Sequence, residues 1–509
     1  MKYNKSISKS LELIRRSAKV RHGFLRAYST DQPKPFKSMP GLSSLPIIGP
    51  LHHFLPLIGS IGLRSNFTET FGALGEKYGP VVKLDGIFAR ASMVLLFEPE
   101  LYEQVYRSEE TNPLRPGFET LTYYREVMKK STFNGVFGLT TAQGDDWRSF
   151  RTKVNPVLLK IKLIKLYAPV LDEIADEMVD RLIRLQKEDG YFKENWDKEI
   201  TKYSLESVAY VGLGSRLGCL KDGLGDDHPS RQLIQCAKDI ISLSFMLELF
   251  PSLWKIFPSP TYKKLVKTFD LQWEISRKYI AEAEKRIKER DHDIPEEDKS
   301  IIEKLLAVDQ TVAIMMANEM LLAGIDTVSF TITTLLYHLA TNPEKQEKVR
   351  QDILSKETSK PYLRACLKES LRLLPVVSAN LRRTSKDHVV AGYHIPKGID
   401  VIAPNEYLSK QDKFYPRAKE FLPERWIVDK SDPLYYGNTH PMVTSPFGMG
   451  VRSCIGRRIA ELEIEIFFKK LLKRVKVSWE GPPLKIASKV MNSHVKPYGF
   501  KLEVLKNLE

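Results

Sequence analysis

Near the C-terminus, the run Phe447-Gly448-Met449-Gly450-Val451-Arg452-Ser453-Cys454-Ile455-Gly456 sets one cysteine among small residues and close to a cation. Those residue types suit a loop that brings a thiolate to a haem iron. Gly448, Gly450 and Gly456 let the backbone turn and come close to a porphyrin. Backbone N–H groups aimed at the sulfur, with Arg452 nearby, favour the charged thiolate and tune its electron donation. The helix predicted from Arg457 turns its positive dipole end towards the same sulfur. The competing reading is a buried structural cysteine in a glycine-containing turn. The spacing F-x-x-G-x-R-x-C-x-G fixes five positions out of ten and favours the metal ligand.

Other residues have spacings that invite chemistry. Ala323-Gly324-Ile325-Asp326-Thr327 lies inside the apolar segment 312–339, where an interior glycine costs about 1 kcal/mol relative to alanine and needs an offset. Glu369 and Arg372 are three apart on a predicted helix, within reach of each other, and Trp147 and Arg151 are four apart on another. Arg364 and Lys368 share a face of the Glu369 helix.

In their order along the chain, these motifs resemble the cytochrome P-450 family, over about residues 40–502. The resemblance implies a mainly α fold with small β-sheets, a single large haem-enclosing domain, and haem b with Cys454 as axial thiolate. Phe447 and Arg452 belong to the same loop, while Ala323 and Gly324 are expected to leave a groove for dioxygen on the distal face. Asp326 and Thr327 are then the proton-delivery pair, acting through water as the O–O bond breaks. Trp147, Arg151 and Arg382 are expected at the haem propionates, where the planar fork of arginine suits a carboxylate. Glu369, Arg372 and Arg425, the last from Phe421-Leu422-Pro423-Glu424-Arg425-Trp426, are expected to form a buried structural triad. Arg364 and Lys368, extended by Arg457 and Arg458, match the basic patch with which mitochondrial members dock an acidic, adrenodoxin-like ferredoxin that is served by its own reductase.

The activity implied is insertion of one oxygen atom of O2 into a lipophilic substrate, steroid-like, ecdysteroid-like or xenobiotic, as in mitochondrial members from insects and other arthropods. Two other classes stay open: a haem-thiolate isomerase or dehydratase, against which Asp326 and Thr327 argue, and a non-catalytic haem sensor. Pocket residues are expected in 115–137, 376–381 and 489–493.

The elements that must position these groups follow from periodicity. Helical spacing dominates 145–187, 198–210, 230–248, 262–290, 310–340, 343–355 and 361–373, and strand-like runs occur at 81–84, 92–97, 388–403 and near the C-terminus. The connection between Arg350 and Pro361 is shorter than in most relatives of the family. Gly212-Leu213-Gly214-Ser215-Arg216-Leu217-Gly218 has the look of a dinucleotide loop, but it follows a helical stretch and is read as a helix stop. Electrons are therefore expected from a separate protein.

The 509 residues carry a formal charge of +15. Residues 1–28 hold eight cations against one acid, about half of that excess, and read as a mitochondrial transit peptide. A proline-rich lead-in over 29–50 and a catalytic domain over 51–509 follow. Without a basic and aromatic stripe, nucleic-acid binding is not expected. Four scattered cysteines with no C-x-x-C pair suggest a reducing compartment and give no support for a zinc site. The expected location is the matrix side of the mitochondrial inner membrane, held peripherally. Leu243 to Lys255, apolar and then basic, is either a substrate-channel lid that dips into the membrane or plain core.

Overall fold

The computed structural model describes residues 32–505 except 57–58, 63, 65, 110, 190–191, 251, 291–293 and 356–360. The transit peptide expected over 1–28 and the centre of the short 350–361 connection lie outside the described residues. From residue 32 the proline-rich lead-in forms no α-helix, only the 3-10 turns Phe36–Ser38 and Pro50–Phe54, as fixed proline φ angles and missing N–H groups require.

Two compact units are interleaved along the chain and are not strung on a linker. The smaller takes the described residues up to 64, together with 68–115 and 379–408. Its sheet contains β1 (Val81–Leu84), β2 (Met93–Leu96), β3 (Asn380–Arg383) and, after the hairpin β4 (His388–Val390) and β5 (Tyr393–Ile395), β6 (Asp400–Ala403). The order is β1-β2-β6-β3, with β2 parallel to β6 and the other pairs antiparallel. Val94, Leu95 and Leu96 are fully buried, which explains the uninterrupted apolar run in β2. Helix α1 (Pro99–Ser108) starts on a proline at its first position, where the missing N–H costs nothing. The strand-like run expected over 388–403 is thus three strands. Ala391 and Gly392, both with positive φ (50° and 78°), make the tight turn between β4 and β5.

The larger unit, 65–67, 116–378 and from 409 on, holds the helical core. Its main helices are α2 (Gly144–Leu158), α3 (Ala168–Asp189), α4 (Phe192–Leu213), α5 (Pro229–Leu249), α6 (Pro260–Lys288), α7 (Gln310–Ala340), α8 (Tyr362–Leu373) and α9 (Arg457–Arg474). Hairpins β7 (Val475–Trp479) with β10 (Phe500–Val504), and β8 (Lys485–Ser488) with β9 (Asn492–Val495), close its C-terminal end. The stretch 145–187, where helical spacing dominates, is more than one helix. Pro156 removes one helical N–H, α2 ends at Leu158, and Lys160 is extended before α3 begins.

Helix α7 is apolar nearly all round and buried nearly all round, the pattern of a core helix. Among the described residues it alone is long and apolar enough to cross a membrane, yet 67% of its apolar window is buried within the protein. Asp309 caps it, its carboxylate accepting from the amide of Val312 at 2.9 Å. Helix α4 runs antiparallel to it: the indole N–H of Trp196 donates to Thr333 Oγ1 at 3.0 Å, and further along the pair Gly212 lies against Met320 and Gly324 against Val208. Helix α4 stops at Leu213 because Gly214 turns left-handed, φ 64°. The glycine run after it is therefore a helix stop, as expected.

Candidate active site

The cysteine loop is built by two left-handed glycines, Gly448 (φ 69°) and Gly450 (φ 66°), a conformation that penalises any side chain. Turn bonds from Gly448 N to Ser445 O (2.9 Å) and from Ser453 N to Gly450 O (3.0 Å) fold it, and Cys454 N donates to Phe447 O at 2.8 Å. Helix α9 starts three residues after Cys454, so its positive end lies beside the thiol. Gly456 is not left-handed; a Cβ there would stand 4.0 Å from Cys454 Sγ, in ordinary contact.

Two buried arginines converge on this loop. Arg151 of α2 donates from Nη2 to the carbonyl of Ser453 at 3.1 Å. Arg452 donates to the carbonyls of Leu139 (3.4 Å) and Ala142 (3.1 Å) and to Gln143 Oε1 (3.1 Å). Its guanidinium lies 4.0 Å from the ring centroid of Trp147, so Trp147 serves as the platform for Arg452. Arg457 lies 5.0 Å over the Phe447 ring. Arg382 belongs to the smaller unit, on β3, buried and 4.6 Å over the ring of Tyr106.

On α7 the sequence-predicted residues divide by face. Ala323 is exposed although Leu321, Leu322 and Ile325 around it are buried. Gly324 points elsewhere: a Cβ there would meet Val208 Cγ2 at 2.6 Å. Its missing side chain lets α4 pack close, so the two small residues face different surroundings. Thr327 Oγ1 donates to the carbonyl of Ala323 at 2.6 Å. Burial raises the Asp326 carboxyl above the usual carboxylate range, with Lys238 pulling the other way.

These features fit a haem. Cys454 is the exposed thiol, whereas Cys219, Cys236 and Cys366 are buried, and burial pushes their thiols up. An accessible sulfur at a helix start, an exposed alanine on an otherwise buried helix, and buried arginines bonded around the sulfur's loop suit a flat apolar group that carries carboxylates.

The expected triad is present in full, with Glu369, Arg372 and Arg425 at 0% side-chain exposure. Glu369 takes two bonds from Arg372 (2.9 and 2.8 Å) and one from Arg425 (3.1 Å). The indole of Trp426 (3.0 Å) and the amide of Leu422 (3.0 Å) complete its shell. On the other face of α8, Arg364 and Lys368 are exposed. Arg364 is clamped by Glu465 at 2.6 and 3.1 Å, and Lys368 stands 5.7 Å over Trp426. Arg458 donates to the carbonyl of Leu159 (3.1 Å), which brings the exposed Lys160, Lys162 and Lys165 beside the predicted patch.

Two of the predicted pocket segments are tied together: Asn492 N donates to Val376 O at 2.8 Å, and Ser378 Oγ to Asn492 Oδ1 at 3.1 Å. Sequence reasoning missed Glu248 of α5, whose half-buried carboxylate accepts from the hydroxyl and amide of Thr120 at 2.6 and 2.9 Å. It also missed Arg125 and Glu319, a buried pair at 2.6 Å. The signal for Glu319 was legible: it is the one charge in the apolar run 312–325, where a lone charge demands a partner. Segment 243–255 is partly core and partly surface. Leu247 and Trp254 are buried, while Met246, Phe250 and Leu253, and just beyond the segment Ile256 and Phe257, stand out at 47–69% exposure.

Residues 40–504 match the family model described as Cytochrome P-450. The chain is 38% identical to cytochrome P-450 CYP12A2 of Musca domestica over 476 residues, covering 89% of this chain and 88% of the relative. It is 35% identical to the probable cytochrome P-450 12b2, mitochondrial, of Drosophila melanogaster (94% and 91% covered) and 36% to the probable 12a5, mitochondrial, of the same fly (88% and 87%). With a family match that takes in both units and every motif above, the chain belongs to the cytochrome P-450 family of haem-thiolate monooxygenases.

Proposed function

We propose that the protein is a mitochondrial monooxygenase, fed by a ferredoxin, that hydroxylates a lipophilic, steroid-like or xenobiotic molecule. The observation that carries this reading is the accessible Cys454 thiol at the start of α9, with Arg151 and Arg452 bonded around its loop. When bound, the haem supplies the redox chemistry that reduces dioxygen and inserts one of its atoms into a C–H bond.

The chain's own residues do the rest. Cys454 holds the cofactor through its thiolate, which the α9 dipole and Arg452 favour. Arg151 and Arg452 are the cations for its carboxylates. Asp326, held towards its protonated form by burial, passes a proton through water, and Thr327 keeps that water in place. Retention of both residues favours oxygen insertion over isomerase chemistry. The face with Arg364, Lys368, Arg457 and Arg458, widened by Lys160, Lys162 and Lys165, receives an acidic electron donor. Names of relatives that include "mitochondrial", together with the basic, acid-poor residues 1–28, support import into that organelle. The exposed Phe250, Leu253, Ile256 and Phe257, with Lys255, Lys263 and Lys264 nearby, suit peripheral contact with its membrane.

The reading is tested by the reduced carbon monoxide difference spectrum of Cys454→Ala. Loss of the thiolate-type band is expected; a variant that keeps it removes Cys454 as the ligand. Substrate class is tested by screening steroids and xenobiotics for Soret shifts, followed by product formation with ferredoxin and its reductase.

A further inference from the structure

Glu319 and Arg125 form a heavily bonded buried ion pair, and nothing in the reading above uses it. Glu319 lies one helical turn before Ala323 and two turns before Thr327, so it shares their face of α7. Both side chains are at most 3% exposed. Glu319 Oε1 accepts from Arg125 Nη1 at 2.6 Å, and its two oxygens accept from the amides of Leu139 (2.7 Å) and Thr140 (3.1 and 3.2 Å). Arg125 also donates to the carbonyl of Phe137 (2.7 Å), Thr141 Oγ1 (3.4 Å) and Asn318 Oδ1 (3.3 Å). The turn beneath them needs a glycine: Gly138 has φ 84°, and a Cβ there would stand 2.5 Å from Glu319 Oε1.

The other side of this turn is held by the cysteine loop. The carbonyls of Leu139 and Ala142 accept from Arg452, two residues before Cys454. One short turn, 138–143, is therefore gripped from α7 by a carboxylate and from the thiolate loop by a guanidinium. Each grip closes hydrogen bonds that the turn cannot make for itself.

We infer that Arg125 and Glu319 are positioning residues which, through the turn 138–143, fix Arg452 relative to the proton-delivery face of α7 and keep the buried charge beside the haem balanced. This rests on the haem-thiolate reading. Because the two charges cancel, removing either leaves an uncompensated buried charge of known sign. Glu319→Gln leaves Arg125 positive, which favours the more negative, reduced cofactor and raises its potential. Arg125→Gln leaves Glu319 negative and lowers it. A role in packing alone would not give opposite signs.

The experiment measures the haem midpoint potential of the wild-type holoenzyme, both single variants and the Arg125→Gln/Glu319→Gln double variant by spectroelectrochemistry. The expected order is Glu319→Gln above wild type above Arg125→Gln. The two single variants should differ by about tenfold in the reduction equilibrium, ~59 mV for one electron, and the double variant should return towards wild type. Any other order, or coincident potentials, overturns the inference. Should a single variant not yield folded holoenzyme, Glu319→Asp keeps the charge but shortens its reach. The clamp then predicts faster loss of the thiolate-type carbon monoxide band; a band as durable as that of the wild type overturns it. A wild-type protein that shows no thiolate-type band at all rejects the haem reading instead, so the two failures are distinguishable.

Discussion

Thr327 turns its hydroxyl back along α7 and donates to the carbonyl of Ala323 at 2.6 Å. With its proton committed to the helix, the oxygen offers lone pairs to whatever lies over Ala323, and in the proposed mechanism it would hold water as an acceptor. Thr327→Ala removes that acceptor. Peroxide released per electron is expected to rise severalfold while ferredoxin-driven reduction is unchanged, and Thr327→Ser should restore most of the coupling. Unchanged peroxide yield in Thr327→Ala would remove the residue from the mechanism.

Glu369 is the shared acceptor of two arginines, an indole and an amide, so the members of the triad should not be equally sensitive. Breaking a buried pair costs about 3–5 kcal/mol. Arg425→Ala removes one of two cations and should lose about that much. Glu369→Ala leaves two guanidiniums facing each other and should lose more, with little holoprotein recovered. Denaturant midpoints give the order, and equal losses would count against a shared anion.

Burial alone pushes the Glu463 carboxyl of α9 up to about 8, and its Oε1 has no hydrogen-bond partner. A raised carboxyl stabilises the fold fully below its unfolded value near 4.5, and that contribution is lost as pH rises towards and through 8. Such a shift amounts to several kcal/mol, on the order of 4–5. Glu463→Gln should flatten the alkaline limb of stability against pH. On the acid side, burial holds His338 down at about 3, so its contribution is present above about 6.5 and is lost as pH falls towards 3. Thermal unfolding from pH 4 to 9 checks both limbs; an alkaline slope that persists in Glu463→Gln refutes the first.

Arg364 is already neutralised by Glu465 across two hydrogen bonds, whereas Lys368 faces only an aromatic ring among its described contacts. Steering of an acidic donor should therefore depend more on Lys368. Lys368→Glu is expected to slow ferredoxin-driven turnover more than Arg364→Glu does, with both effects shrinking at high salt and neither seen when peroxide drives the reaction. Equal loss under peroxide would reject a docking role for this face.

The Cys454 loop, the Glu369–Arg372 pair and the helices 230–248, 262–290, 310–340 and 361–373 were legible in the sequence because each is local, a spacing, a cap or a periodic face, whereas Arg425, 56 residues from Glu369, joined the expected triad only through the family resemblance. Contacts between distant segments were not. No local pattern tells that Gly138 makes room for Glu319, that Trp147 stacks on Arg452, or that Leu159 lies under Arg458. The helix end at Leu158, two residues after Pro156, is masked in the sequence by the apolar period on either side of it. The cost of an interior glycine at 324 is visible in the sequence but the neighbour it admits is not, since a helix pattern shows which residues share a face but not what stands opposite.

That neighbour is Val208, close enough to exclude even a methyl group from position 324. The two positions are therefore bound as a couple: a larger residue at 324 is admissible only with a smaller one at 208. Efforts to reshape substrate preference by grafting distal-helix segments from related enzymes should transplant the matching stretch of α4 as well, or the graft will wedge two helices apart before it reaches the substrate.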